Sequence, residues 1–436
     1  MKRISAAPEP ADIVDLTHEG DGVARIDGKA VFVAGALPGE HVVLRRLRRH
    51  RNFDEAVVES VLVPSPNRVP APCPHYGTCG GCALQHLSPV AQLVFKEAQL
   101  FDTLARIGGV EPGRRLAPLT GPVWGYRRRA RLGIKHVARK GRVLVGFRER
   151  SAPYVADLHE CRILAPPLGG LVDPLAELVA GLSIAERVPQ AEVARADNAC
   201  AVVLRVLDAP TAADLDRLRE FERKQGVRLY LQPGGPATVG PLTPDLEPLR
   251  YRLGAFDVTI EFEPTDFIQV NGALNQAMIA RALEKLEAQP GERVLDLFCG
   301  LGNFSLPLAR KAGSVVAVEG DVSLVRRARA NAERNGLGNV EFHVADLFGD
   351  VAGLPWTQGH YDRVLLDPPR AGAKEILPVV AASGARRVVY ISCHSGSLAR
   401  DAGLLVREHG FRLTAAGVMD MFPHTTHVEA MAVFDR

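Results

Sequence analysis

The stretch Arg293-Val294-Leu295-Asp296-Leu297-Phe298-Cys299-Gly300-Leu301-Gly302-Asn303-Phe304-Ser305 runs apolar, breaks into glycines and leads into a helical pattern. A buried strand that opens through a Gly-rich turn into a helix is the founding unit of a doubly wound α/β domain. The alternation continues on both sides. Upstream, a helix over 271–288 carries Leu274, Met278, Ile279, Leu283 and Leu286 at helical spacing. Downstream, strands are expected at 315–319, 340–344, 364–366 and 388–391, with a helix at 323–335 and a closing strand pair at 411–419 and 428–434. Residues 265–436 therefore read as one Rossmann-like domain.

Open α/β sheets do their chemistry at the carboxyl ends of the strands. Here those ends carry Asp296 with Gly300-x-Gly302, then Glu319, Asp346, Asp367-Pro368-Pro369-Arg370 and Cys393. Glu319 follows the glycine turn at the distance where a carboxylate can accept both ribose hydroxyls. A third glycine and a base for a pyrophosphate are both missing, which disfavours NAD. Acidic Asp296 and Asp346 favour a cationic, adenosine-bearing ligand, and S-adenosylmethionine (SAM) has that chemistry. Proline fixes φ, so the Asp367 carboxylate is held rigidly and can face the N–H edge of a planar base. A free cysteine is ordinarily a small core residue. Beside such a carboxylate, Cys393 becomes a candidate nucleophile: C5 of a pyrimidine reacts only once a thiolate has added to C6. A base must then remove the C5 proton. Glu429, in His427-Val428-Glu429, is a carboxylate inside an apolar strand, where burial would raise its pKa; the alternative is a solvated edge-strand residue. Cys299 is expected to face the cofactor or the core, and Cys200 to be core.

The rest of the 436 residues needs further domains. Residues 1–66 alternate short β-rich runs (23–26, 30–33, 41–47, 55–62) with turn signals, as a small β-barrel does. Arg45, Arg46, Arg48, Arg49 and Arg51 crowd one run, and Arg127 to Arg142 forms a second basic segment, although the net charge is only +3. Such a run is either a solvated edge or a phosphate-binding strip. After a Pro-rich connector come Cys73-x5-Cys79-Gly80-Gly81-Cys82 and the remote Cys161. Four thiolates suit tetrahedral zinc or an iron–sulfur cluster. Zinc sites more often come as two C-x2-C pairs, whereas three clustered cysteines and a distant fourth favour [4Fe–4S]. Residues 67–90 and 120–264 form an α+β domain with strands at 130–137, 142–149, 200–207, 227–232 and 250–263 and a helix at 211–225. A helix at 91–107 lies in a linking segment, 91–119, expected to pack on the catalytic domain. The amino terminus lacks an apolar leader, and no run approaches the length of a membrane span. A cytoplasmic monomer without membrane contact is expected.

The set FIQVN (267–271), DLFCGLGNFSLPLA (296–309), DPPRAG (367–372), SCHSGSLARD (392–401) and HVE (427–429) resembles the RNA uracil-C5 methyltransferases. The barrel resembles a TRAM domain, and the cysteine set resembles the [4Fe–4S] ligands of the ribosomal branch. The resemblance implies SAM-dependent methylation of a uridine in 23S ribosomal RNA, with Cys393 as nucleophile and Glu429 as the base. It implies Gln269, Phe298, Asn303, Glu319, Asp346 and Asp367 as cofactor-site residues, and Cys73, Cys79, Cys82 and Cys161 as cluster ligands. One departure stands out: the family loop usually reads SCNP, and here it is SCHS. Transfer RNA or two ribosomal sites are alternative targets. A non-catalytic RNA-binding iron–sulfur sensor would need neither Cys393 nor Glu429. A radical SAM enzyme would need a C-x3-C-x2-C triplet, which does not occur.

Overall fold

The computed structural model describes the backbone of Lys2–Arg3 and residues 7–436; the remaining amino-terminal residues of the expected barrel lie outside the described ones. The chain forms two compact units. One comprises Met1–Lys96, Phe147–Ala156 and Phe422–Thr426, the other Glu97–Gly146, Asp157–Met421 and His427–Arg436.

In the first unit, β1 (Glu9–Leu16), β2 (Gly22–Ile26), β3 (Lys29–Ala34), β4 (His41–Arg49) and β5 (Phe53–Val63) close into a barrel. β4 pairs with both β1 and β5, and β3 pairs with β5, so no long edge is left open. Period-two alternation turns Ile13, Ala24, Val31, Val33, Val42 and Leu44 into one core. The arginine run is largely neutralised by the barrel's own acids. Arg46 bonds Glu9 at 2.6 Å and the fully buried Asp54 at 2.8 Å, and Arg45 bonds Glu59 at 2.5 Å. Arg49 and Arg51 stand exposed. The far carboxy-terminal segment Phe422–Thr426 is held in this unit by backbone bonds. The amides of Ala83 and Leu84 both donate to the His424 carbonyl at 2.9 Å. Buried Lys96 donates to the Phe422 carbonyl at 2.9 Å.

Helix α1 (Pro89–Thr103) belongs to the first unit up to Lys96 and to the second from Glu97. A π-helical turn, Leu104–Gly108, follows and stops at Gly109, whose φ of 62° suits glycine. The second unit holds a six-stranded sheet that includes Arg129–Val137, Arg142–Gly146, Gln190–Arg195, Cys200–Arg205 and Arg228–Gln232. The strand expected at 142–149 ends at Gly146, because Phe147–Ala156 packs within the first unit. The run 250–263 is a hairpin, Leu249–Leu253 with Val258–Phe262, turned where Asp257 adopts φ 49°. Helix α2 (Ala212–Gln225) starts at a capping box of Thr211 and Asp214. Cys200 is buried, as expected.

The eight-stranded sheet is the doubly wound part. It contains β6 (Arg293–Leu297), β7 (Ser314–Glu319), β8 (Val340–Val344), β9 (Arg363–Leu366), β10 (Arg387–Ser392), β11 (Arg412–Met419) and β12 (Glu429–Asp435). The order is β8-β7-β6-β9-β10-β12-β11, and Arg114–Arg115 adds a short edge. β6 to β10 are parallel, and β12 runs antiparallel between β10 and β11. The order reverses between β6 and β9, which places the crevice of such a sheet between their carboxyl ends. Helices α3 (Gly272–Leu286), α4 (Val322–Arg334) and α5 (Ser395–Arg407) cover the sheet. Leu295, Leu297, Val364, Leu366, Val388 and Tyr390 lie in one core with Leu100 and Phe101 of α1. Each fully buried aliphatic side chain of that core contributes about 1.5–3 kcal/mol. Among the described residues no helix is long and apolar enough to cross a membrane.

Candidate active site

β6 ends at Leu297, and the chain turns sharply. Phe298 adopts φ 65°, a strained conformation for a residue with a side chain. The turn is held because the amides of Phe298 and Cys299 both donate to the Val318 carbonyl, at 2.9 and 3.1 Å. Cys299 points into the core and is buried. A Cβ at Gly300 would meet nothing within 4 Å, so there is open space beside this turn. Glu319, at the end of β7, accepts the Gly300 amide on Oε2 at 3.1 Å and the Gly320 and Asp321 amides on Oε1 at 2.8 and 3.1 Å. Phe298 pairs with the ring of Phe348 at 5.7 Å. Asp346 is exposed, and its Oδ1 accepts the Phe348 amide at 3.0 Å.

Asp296 is fully buried, with the Ser305 hydroxyl on Oδ2 and no partner for Oδ1. An orphaned carboxylate oxygen under a glycine turn fits a site that receives a cationic ligand. Asp367, at the end of β9, accepts a long 3.4 Å bond from Gln269 Nε2. Burial pushes the carboxyls of Asp296 and Asp367 up to about 7. Glu429, at the start of β12, is buried and raised to about 8, first by desolvation and then by the charge of Asp367. Cys393 is half-buried, and its thiol is raised to about 11 by desolvation, then by Glu429 and Asp367, against a lowering pull from Arg370. Among the described residues, Gln269 alone lowers the Asp367 carboxyl, and Asp367 adds to the rise at Glu429.

Cys393 and Glu429 are brought together by strand register. Ser392 of β10 pairs with Ala430 of β12, so the next positions outward are Cys393 and Glu429. The turn after Cys393 is braced by Ser392, whose hydroxyl accepts the His394 amide at 3.2 Å and donates to the His394 carbonyl at 3.1 Å. His394 is the N-cap of α5, and its Nδ1 accepts the Ser397 amide at 3.1 Å. The ring nitrogen does what the side-chain oxygen of asparagine does at an N-cap, so the SCHS departure keeps the helix start.

Some contributors were not legible from the motifs. Asp401, fully buried in α5, accepts Tyr390 O–H and the Ala373 amide on Oδ2, both at 2.7 Å. It thereby ties the strand before Cys393 to the loop after Asp367. Gly372, at φ 85°, has no room for a Cβ, which would lie 2.5 Å from Asp401 Oδ2. The available signal was an acid on the apolar face of a helix, beside Leu398, Ala402 and Leu405. Asn303 Oδ1 accepts Tyr251 O–H at 3.0 Å and Asn275 Nδ2 at 2.9 Å, and Asn303 Nδ2 donates to Asn275 Oδ1 at 2.9 Å.

Cys73, Cys79 and Cys82 lie on one loop of the first unit, and Cys161 lies in the second unit; all are half-buried. Gly81 N–H points at Cys79 Sγ at 3.4 Å, and burial and the charge of Cys73 raise the Cys79 thiol. Among the described residues no group of three His, Cys, Asp or Glu side chains is arranged to hold a metal ion.

The tRNA (Uracil-5-)-methyltransferase family matches residues 250–436, and the TRAM domain family matches residues 9–45. A protein of Alkalilimnicola ehrlichii named 23S rRNA (uracil(1939)-C(5))-methyltransferase RlmD is 54% identical over 436 residues, covering 100% of this chain and 98% of its own. One of the same name from Methylococcus capsulatus is 51% identical over 436 residues, with the same coverage of 100% and 98%. Among solved structures, the Pyrococcus abyssi tRNA (uracil-54, C5)-methyltransferase in complex with S-adenosyl-L-homocysteine superposes with TM-score 0.75 at 24% identity, covering 98% of this chain and 99% of that one. At that identity it speaks for the fold alone.

Proposed function

The chain belongs to the RNA uracil-C5 methyltransferases, among the 23S ribosomal RNA enzymes of RlmD type, and we propose that it methylates C5 of a uridine in that RNA through Cys393 and Glu429. The observation that carries the reading is a thiol and a buried carboxylate flanking the last pair of β10 and β12, with the charge of Asp367 raising both. SAM, when bound, supplies an electrophilic methyl and a positive charge. Its site is built from Phe298, Asn303, Glu319, Asp346, Asp367 and Gln269.

The residues then divide the work. Gln269 and Asp367 hold the uracil edge. The Cys393 thiol loses its proton to solvent and adds as the thiolate to C6, the C5–C6 π pair moves toward the O4 enolate, and C5 becomes able to take the methyl. Glu429 takes the C5 proton, the C5–C6 double bond re-forms, and the C6–S bond breaks to return the thiolate. A carboxyl raised to about 8 is a stronger base than an ordinary glutamate once deprotonated.

The family resemblance, with four thiols as the donor type, supports reading Cys73, Cys79, Cys82 and Cys161 as [4Fe–4S] ligands. The barrel's exposed Arg49 and Arg51 serve the RNA backbone.

The test offers unmodified 23S ribosomal RNA and transfer RNA with labelled SAM and maps the product. The expected outcome is 5-methyluridine in the ribosomal RNA alone. Label in transfer RNA only, or elsewhere than C5, overturns the reading.

A further inference from the structure

Asn303 is a half-buried amide on the turn that follows β6, and the geometry around it accounts for most of its hydrogen-bonding capacity. Its Oδ1 receives two donors, Tyr251 O–H at 3.0 Å and Asn275 Nδ2 at 2.9 Å. One of its two N–H groups goes to Asn275 Oδ1, again at 2.9 Å. A single N–H remains. Tyr251 comes from the hairpin strand Leu249–Leu253, and Asn275 from the first turns of α3; both are buried. Two elements outside the glycine turn therefore converge on one side chain of it. Tyr251 and Asn275 also line a small cleft shared with Gln269, Ile268, Leu253 and Arg128. α3 itself is anchored at Asn271, whose side chain caps the helix by accepting the Leu274 amide at 3.1 Å. The segment that sets Gln269 thus also sets Asn275.

We propose that Tyr251 and Asn275 are positioning residues for the cofactor: they lock the Asn303 amide so that its one remaining N–H is presented to a hydrogen-bond acceptor of SAM. This rests on the assignment of Asn303 to the cofactor site. An amide free to rotate would present donor and acceptor alternately and would lose rotamer entropy on binding; the locked amide has lost it beforehand. Burial keeps the Tyr251 phenol protonated well beyond neutral pH, so the donor is permanent.

The test is calorimetric binding of S-adenosylhomocysteine to the full chain and to Asn303→Ala, Asn275→Ala, Asn275→Asp and Tyr251→Phe. Asn275→Asp preserves volume and the acceptor but removes the donor, which keeps the test valid should Asn275→Ala fold poorly. Loss of about one hydrogen bond weakens affinity roughly tenfold. Asn303→Ala, Asn275→Ala and Asn275→Asp are each expected near that value, and Tyr251→Phe at roughly threefold. KM for SAM should rise while KM for RNA stays put. In an Asn303→Ala background, Asn275→Ala and Tyr251→Phe should add less than about twofold, because the group they position is gone. Full-size effects in that background, or wild-type affinity in the single variants, overturn the proposal while leaving Asn303 at the cofactor. Wild-type affinity in Asn303→Ala overturns the underlying assignment, and the positioning role falls with it.

Discussion

Cys393 and Glu429 each lie one position beyond Ser392–Ala430, the pair that ends the ladder of β10 and β12, and the Glu429 charge raises the Cys393 thiol. A one-residue slip would turn the thiol and the carboxylate to opposite faces of the sheet. The two groups thus share a site because β12 returns antiparallel beside β10.

Replacing each partner should separate the halves of the reaction. Cys393→Ala should form neither product nor a denaturation-resistant protein–RNA adduct. Glu429→Gln should add and methylate but release slowly, so the adduct accumulates on a denaturing gel while turnover falls by about 10²- to 10⁴-fold. Normal turnover without an adduct would remove Glu429 from the proton step.

The same carboxylate makes stability depend on pH. Its folded pKa, about 8, lies above the ordinary 4.5, so the folded chain binds more protons than the unfolded chain between those values. Stability should therefore fall as pH rises from about 4.5 to about 8 and level off above. Glu429→Gln should remove that contribution. Its Tm should match wild type near pH 4.5 and exceed it by a few degrees at pH 8–9, as read by calorimetric scans.

A cation in the pocket should lower the Cys393 thiol from about 11, because Glu429 and Asp367 are what raise it after burial. Alkylation of Cys393 by iodoacetamide, followed by peptide mass spectrometry against pH, should show its midpoint fall when an amine-bearing SAM analogue is bound at a concentration that leaves the thiol accessible. The uncharged sulfur of S-adenosylhomocysteine should shift it less. Equal shifts would mean that charge is not the cause.

Asp401 touches no reacting atom, yet its loss should be costly. Asp401→Ala leaves the Tyr390 hydroxyl and the Ala373 amide without their buried acceptor, at about 1–3 kcal/mol each. Tm should drop, and residual activity should fall more than the unfolded fraction explains, since the loops after β9 and β10 lose their common tie. Gly372→Ala should do the same through the clash with Asp401.

Protein purified without oxygen should carry iron and acid-labile sulfide, and Cys79→Ala should lose both. Stoichiometric zinc in their place would reassign the four cysteines.

The doubly wound domain was legible because its strands are continuous apolar runs that end in acids, glycines or cysteine, and a parallel sheet buried on both faces writes itself that way. Glu429 was legible for a related reason, as a lone carboxylate in an apolar strand. The hairpin at 250–263 was not, since its break rests on Asp257 taking a left-handed turn that asparagine or glycine would have announced. Nor did the arginine runs reveal that Glu9, Asp54, Glu192 and Asp197 already neutralise much of them, because those acids arrive from other strands and, for Asp197, from a turn. Asn275 and Asp401 are polar groups whose partners lie 28 residues away or on other elements; spacing along the chain says nothing of them.

The segment Phe422–Thr426 interrupts the hairpin of β11 and β12 and is built into the barrel unit through the Ala83, Leu84 and Lys96 bonds. The barrel unit is thus assembled from three separate stretches of gene, one of them only a few codons before Glu429. Removing residues 1–96 would therefore strip Phe422–Thr426 of the Ala83, Leu84 and Lys96 partners that hold it, a few residues before Glu429.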